Sequence, residues 1–113
     1  MKFLCLAYGD EDGWNSLTDD EQREVLAEDE KIRSRGHFMT AVKPEVTRVK
    51  NRDRKLEVSK GLPGHDGLPL AGFSIIEAES ADEVASLVSN TPCARAKGYI
   101  DIRPFWVLDD DNA

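Results

Sequence analysis

The sequence predicts an α+β fold of the ferredoxin-like kind, βαββαβ with an inserted β-hairpin. Three observations carry that reading. Four segments have the alternation or apolar runs of strands: Lys2–Tyr8, "HFMTAV", "GFSIIEA" and "GYIDIRPF". Two capping boxes, Thr18 with Glu21 and Ser80 with Glu83, each open a helix. Between the second and third of these strands lie "VTRVK" and "KLEVS", divided by the polar "NRDR", which reads as a hairpin.

Taken in order, Phe3, Cys5 and Ala7 of the first strand face one way and Leu4, Leu6 and Tyr8 the other. Apolar residues on both faces predict a central strand covered on both sides. A loop with Gly9, Gly13 and Trp14 leads to Thr18, whose acidic neighbours Asp19 and Asp20 suit a helix N-terminus. That helix is expected to reach about Arg35 and close at Gly36, with a thin apolar stripe of Val25, Leu26 and Ile32. The "HFMTAV" strand stops near Pro44, and "NRDR" is taken as a four-residue hairpin loop.

The loop from Gly61 to Phe73, "GLPGHDGLPLAGF", repeats Gly-Leu-Pro six residues apart, which is turn chemistry and not a solenoid. In the next strand Phe73 and Ile75 oppose Ser74 and Ile76. The second helix buries Val84, Leu87 and Val88 and ends before Pro92. The last strand turns Ile100 and Ile102 one way and Asp101 and Arg103 the other. One domain over residues 1–106 and an acidic tail over 107–113 follow. Two helices on one face leave the other face of the sheet open, and a homodimer is the simplest cover for it.

The chain has 113 residues, 40% hydrophobic and 33% charged, which is enough for one well-solvated globular core. Its formal net charge of −7 argues against nucleic acid as a partner. The basic run "RVKNRDRK" is interrupted by Asn51 and Asp53 and reads as a solvated hairpin. No apolar stretch approaches the ~20 residues of a membrane span. "MKFLCLAY" is too short for a signal peptide, so a soluble cytoplasmic protein is expected. Cys5 and Cys93 form neither a metal motif nor a disulfide framework.

Chemistry concentrates on His65 and Asp66. An imidazole titrates near neutral pH, and a carboxylate can fix its tautomer. Sequence neighbours in an extended segment point apart, so a partner from a strand, Asp101 or Asp10, fits better than Asp66. The plain alternative is a solvated loop tip. His37, after Gly36, is placed to meet the carbonyls at a helix C-terminus. Arg103 suits a carboxylate ligand, or an ion pair with Asp101 or Glu77. Tyr8, Phe73, Tyr99 and Trp106 suit either core packing or an aromatic-friendly pocket, and Trp14 a lid or a dimer contact. No metal spacing, cofactor motif or phosphate-cradling loop is present.

The chain resembles the YCII-related, or DGPF-domain, proteins over nearly its whole length. The likeness rests on the start "MKFLCLAYGDE", on Gly72-Phe73 in "GFSIIEA", on Pro92-Cys93-Ala94, and on Asp101-Ile102-Arg103-Pro104. It implies a ferredoxin-like fold assembled as a dimeric α+β barrel, with a cleft between the sheet and the surrounding helices and loops. It also implies that some relatives act on small, often aromatic, compounds with a histidine–aspartate pair. Where the family has "TDGPFAETKE", however, this chain has "SKGLPGHDGL". Only Gly61 of the four-residue signature survives, with Lys60, Leu62 and Pro63 in the other places. The first helix has no histidine either, so no catalytic residue is carried over.

Two functions remain open, besides a purely structural or interaction domain. One is a homodimeric small-molecule-binding module whose ligand meets Tyr8, Phe73, Arg103 and Trp14. The other is an acid–base enzyme of isomerase, lyase or dehalogenating type, acting on a small organic substrate through His65 and a nearby carboxylate, Asp66 or Asp101.

Overall fold

The computed structural model describes residues 1–61 and 67–106; His65, Asp66 and the tail 107–113 lie outside the described residues. Ten elements follow in order: β1 (Lys2–Tyr8), α1 (Glu11–Asn15), α2 (Asp19–Ser34), β2 (Phe38–Ala41), β3 (Val46–Arg52), β4 (Lys55–Gly61), β5 (Leu70–Glu77), α3 (Ala81–Val88), α4 (Pro92–Arg95) and β6 (Tyr99–Pro104). Four strands form an antiparallel sheet in the order β2-β5-β1-β6, which is the ferredoxin-like arrangement. β3 and β4 form a separate two-stranded sheet.

β1 is central, as its apolar character on both faces requires, and pairs along its length with β5 and β6. The helices cover one face. Ile32 of α2 and Val84 and Val88 of α3 join Phe3, Cys5 and Ile76 in one core. Leu87 packs on it half-buried. The opposite face shows Leu4, Leu6, Phe73 and Ile75 half-buried and Phe38 55% exposed. Two aromatic pairs lie on it: Tyr8 stacks on Tyr99 with ring centroids 5.1 Å apart, and Phe38 meets Phe73 at 5.7 Å.

Both helix starts form where the sequence places them. Thr18 Oγ1 accepts from Glu21 N–H at 3.1 Å, while Thr18 N–H donates to Glu21 Oε1 at 2.8 Å. Hydrogen bonds from Thr18 hold the Glu21 carboxyl below its usual range. The second box is half-made: Ser80 Oγ accepts from Glu83 N–H, but the Glu83 carboxylate takes the N–H of Glu79. Gly36, at φ +91°, ends α2 in the left-handed region that glycine occupies at little cost.

Four local expectations change. Leu26 is 49% exposed, because the buried stripe of α2 runs through Val25 and Ile32 on a different phase. The expected hairpin loop "NRDR" narrows to Asp53 and Arg54, both at positive φ as a two-residue primed turn requires, so Asn51 and Arg52 pair within the ladder. Segments read as loop contain α1 and α4, each too short to show helical periodicity. His37 borders a surface cleft with Glu77 and Glu83 and makes no hydrogen bond to a described residue; the backbone N–H groups of Arg35 and Gly36 cap α2 instead.

Two substitutions test this account of the fold. Ile76 is 0% exposed at the centre of the core, and Ile76→Ala should cost about 2–5 kcal/mol in urea unfolding. Thr18→Ala removes one box and should cost about 1 kcal/mol. A smaller loss for Ile76→Ala than for Thr18→Ala would contradict the placement of the core.

Candidate functional site

Across one end of the sheet, on the side facing the helices, runs a row of minimal side chains. Ala41 pairs with Gly72, Gly72 with Ala7, and Ala7 with Ile100. Elsewhere on that face Phe3, Cys5 and Ile76 reach the helices and fill the space. Here Ala41, Gly72 and Ala7 cannot, and a cavity of about 200 Å³ remains beneath α2 and α4. Gly72 has no room for a side chain, since an added Cβ would stand 2.6 Å from the Thr40 carbonyl oxygen.

α2 places Asp29 and Arg33 on this cavity, and α4 with the residue before it places Thr91 and Cys93. Arg95 ties the two helices together, 3.3 Å from Glu24 and 3.8 Å from Glu21. Asp29 is half-buried and makes no hydrogen bond or ion pair with a described residue. Burial pushes its carboxyl up to about 6; the Arg33 guanidinium pulls it down and the neighbouring Glu30 adds to the rise. Arg33 itself pairs with Glu30 at 2.5 Å, which leaves Asp29 without a close counter-ion.

A carboxyl in this state exchanges a proton near neutral pH and can either donate or accept a hydrogen bond. Cys93 is held as a thiol, first by burial and then by the charge of Asp29, which argues against a nucleophilic role. Cys5, opposite Ser74 in the ladder, is likewise raised by burial, with a hydrogen bond from Ser74 opposing the shift. Among the described residues no group of three or more His, Cys, Asp and Glu side chains is placed to hold a metal ion.

A second recess of about 510 Å³ adjoins the first, and Ala71, Pro92 and Cys93 border both. Trp14, Val42, Pro44 and Pro69 also line it. α1 positions Trp14 here: Asp10 caps the helix by accepting from Gly13 N–H at 2.9 Å. Gly13 lets α1 press on the end of α4, where an added Cβ would stand 2.1 Å from the Ala96 carbonyl oxygen.

Of the residues expected at a ligand, Trp14 borders the larger recess and Phe73 the smaller. Asp10 borders the larger recess as well, with its carboxylate committed to the α1 cap. Tyr8, stacked on Tyr99, lies on the open face of the sheet. Asp101 and Arg103 alternate with the inward Ile100 and Ile102 and are exposed on that same open face. Neither forms an ion pair with a described residue. Trp106 is 85% exposed.

The structure therefore places Trp14 on the larger recess, while Phe73 borders the smaller from a strand position whose ring lies on the open face with Asp101 and Arg103. Asp29, the carboxylate on the smaller recess, is one that sequence reasoning missed. Its signal was present, because Asp29 stands four residues after buried Val25 and three before buried Ile32. That spacing puts it on the inward stripe of α2.

No curated protein matches the sequence. Among solved structures, 5-chloro-2-hydroxyhydroquinone dehydrochlorinase from Burkholderia phenoliruptrix AC1100, in complex with 2,5-dihydroxybenzoquinone, matches over 100% of both chains, at 22% identity and a TM-score of 0.48. At that identity none of its residues is carried over to this chain. Among the described residues no helix is long and apolar enough to cross a membrane. The YCII-related domain model matches residues 1–109, and the order of strands, the Gly72-Phe73 strand and the Arg103-Pro104 end fall within that match; the chain belongs to the YCII-related domain family.

Proposed function

We propose that this protein binds a small organic molecule in the connected recess between the sheet and α2 and α4, and that it does so as a homodimer. The observation that carries the reading is Asp29: a half-buried carboxyl on a mainly apolar cavity, with no hydrogen bond or ion pair to a described residue and its titration raised to about 6. A recess with apolar walls and few polar groups selects an uncharged, compact ligand, and Asp29 orients it through one hydrogen bond. Thr91 and Thr40 offer further polar atoms on the same cavity.

The same carboxyl supports a second reading, an acid–base enzyme acting on such a molecule. Its near-neutral titration suits proton transfer better than an ordinary exposed aspartate does. Asp29 then takes the part that sequence reasoning gave to Asp66 or Asp101. His65 lies outside the described residues and enters this reading only as a candidate partner. The dimer rests on the open face, where Leu4, Leu6, Phe38 and Ile75 stand together on one side of the sheet and need a cover.

Three measurements test these readings. In a fragment titration with neutral phenols and aliphatic alcohols, the amide resonances of Thr40, Thr91 and Cys93 should shift. Asp29→Asn should weaken the best fragment roughly 10-fold or more, the range of a hydrogen bond to a charged group. Ala7→Leu, which fills the cavity floor, should abolish the shifts while the protein stays folded. Shifts confined to the open face would sink the site.

The second test uses pH. The folded-state titration of Asp29 is raised above its ordinary 3.8, so folding favours its protonated form. Its contribution to stability is present below about pH 4 and is lost as pH rises to about 6. Asp29→Asn should therefore gain stability relative to wild type at pH 7 and lose that advantage at pH 4. An advantage that does not change with pH would mean that Asp29 is not held protonated by its surroundings. Third, Leu6→Arg on the open face should convert a dimer to a monomer in sedimentation equilibrium; an unchanged dimer would mean that it forms elsewhere.

A further inference from the structure

The β3–β4 hairpin stands away from the body. Every residue from Thr47 to Gly61 is exposed, and the molecule reaches 51 Å along its longest axis, with a radius of gyration of 16.2 Å. A compact chain of this length has a radius of gyration of roughly 13 Å, so the arm extends the protein well beyond a globule. An isolated two-stranded hairpin is marginal in water, and among the described residues no helix or sheet of its own body lies across either face.

The register makes its faces unlike. Val49 pairs with Val58 and Asn51 with Leu56, which puts Val49, Val58 and Leu56 on one face, exposed by 63%, 55% and 67%. Arg48 pairs with Ser59, Lys50 with Glu57 and Arg52 with Lys55, which makes the other face mainly cationic. Between Val46 and Gly61 there are six basic residues and two acids, whereas the rest of the chain has nine basic residues and twenty acids. An acidic body thus carries a cationic arm with an apolar stripe.

The geometry points to the hairpin as an exchange arm: in a pair of these chains each arm lies along the acidic body of the other copy, its Val49–Leu56–Val58 stripe buried there. The charge distribution selects that occupant. The arm's partner must be acidic and partly apolar, and this protein's own body is both. The exposed acids Asp19 and Glu30 stand on α2 on the same side as the 49%-exposed Leu26, with Asp20 and Glu24 exposed on the same helix. Contact in trans buries the stripe, with Lys60 on the same face, against the other body, and the long Lys and Arg side chains of the outward face reach acids flanking the contact, in both copies by one symmetric operation. An anionic polymer would meet the cationic face but leave the apolar stripe in water, and it would be repelled by the acidic body.

The inference shares the homodimer with the proposed function and is independent of the ligand site. The test mixes 15N-labelled and unlabelled full-length protein and treats the mixture with a zero-length carbodiimide cross-linker. Peptides joining Lys50, Lys55 or Lys60 to acids of the body should appear with mixed isotopic composition, which only contact between chains produces. They should disappear in 1 M salt and in the Val49→Asp, Val58→Asp double variant, whose far-ultraviolet circular dichroism should match wild type.

A dimer whose arm cross-links are all within one isotope class, or absent, overturns the arm and leaves the open-face dimer standing. A monomer overturns both. A monomer retained on heparin through residues 46–61 assigns the arm to polyanions and also overturns the inference.

Discussion

The sheet of this protein is apolar on both faces, and the chain supplies helices for only one. That constraint governs the rest of the structure. β1 sits at the centre with Phe3 and Cys5 under α2 and α3, and Leu4 and Leu6 looking the other way. A buried leucine is worth about 1.5–3 kcal/mol relative to an exposed one, so a second face of this composition is a substantial store of unused burial energy. The antiparallel order β2-β5-β1-β6 gathers Phe38, Phe73, Ile75 and Leu6 from three strands into that one surface.

The covered face has the opposite problem. Where Ala41, Gly72 and Ala7 stand in register, the sheet offers too little volume to meet the helices, and the gap is not closed by larger side chains from α2. Asp29 borders it from the helix side instead. A chain selected only for packing would put a leucine at an inward position between Val25 and Ile32. An aspartate there costs stability at neutral pH, because its charge is poorly solvated and Arg33 is engaged with Glu30. A void lined by small residues and a carboxyl set against it are two departures from core design at one place. Such departures concentrate at functional sites.

How much of this could be read beforehand depended on whether the determinant was local. Thr18 with Glu21 fixed a helix start because the box is closed by residues three apart, and the six-strand order followed from alternation within each strand. α1 and α4 escaped because five and four residues show no period. The turn narrowed to two residues because Asp53 and Arg54 accept positive φ within a primed hairpin turn, although the sequence offers no glycine there. The site was legible only in part. Trp14, a lid or a dimer contact by its sequence context, borders the larger recess. Asp29 went unnoticed among Glu28, Asp29 and Glu30, since only the phase of the helix distinguishes the inward acid. Asp101 and Arg103 suit a site by type, and alternation along β6 places them on the open face of the sheet.

The proposed ligand site and the proposed dimer surface lie on opposite sides of the same strands, one residue apart. Gly72 belongs to the floor of the cavity and Phe73, the next residue, packs its ring against Phe38 on the open face. Ala7 and Leu6 stand in the same relation on β1. A ligand that presses on the Ala41–Gly72–Ala7 row acts on main chain whose other side carries the aromatic and aliphatic residues of the dimer face. β2 is a four-residue edge strand that pairs with β5 among the described residues, and the chain runs on from it to the hairpin. Phe38 of the open face, Ala41 of the cavity floor and the approach to the arm therefore belong to one short strand, β2.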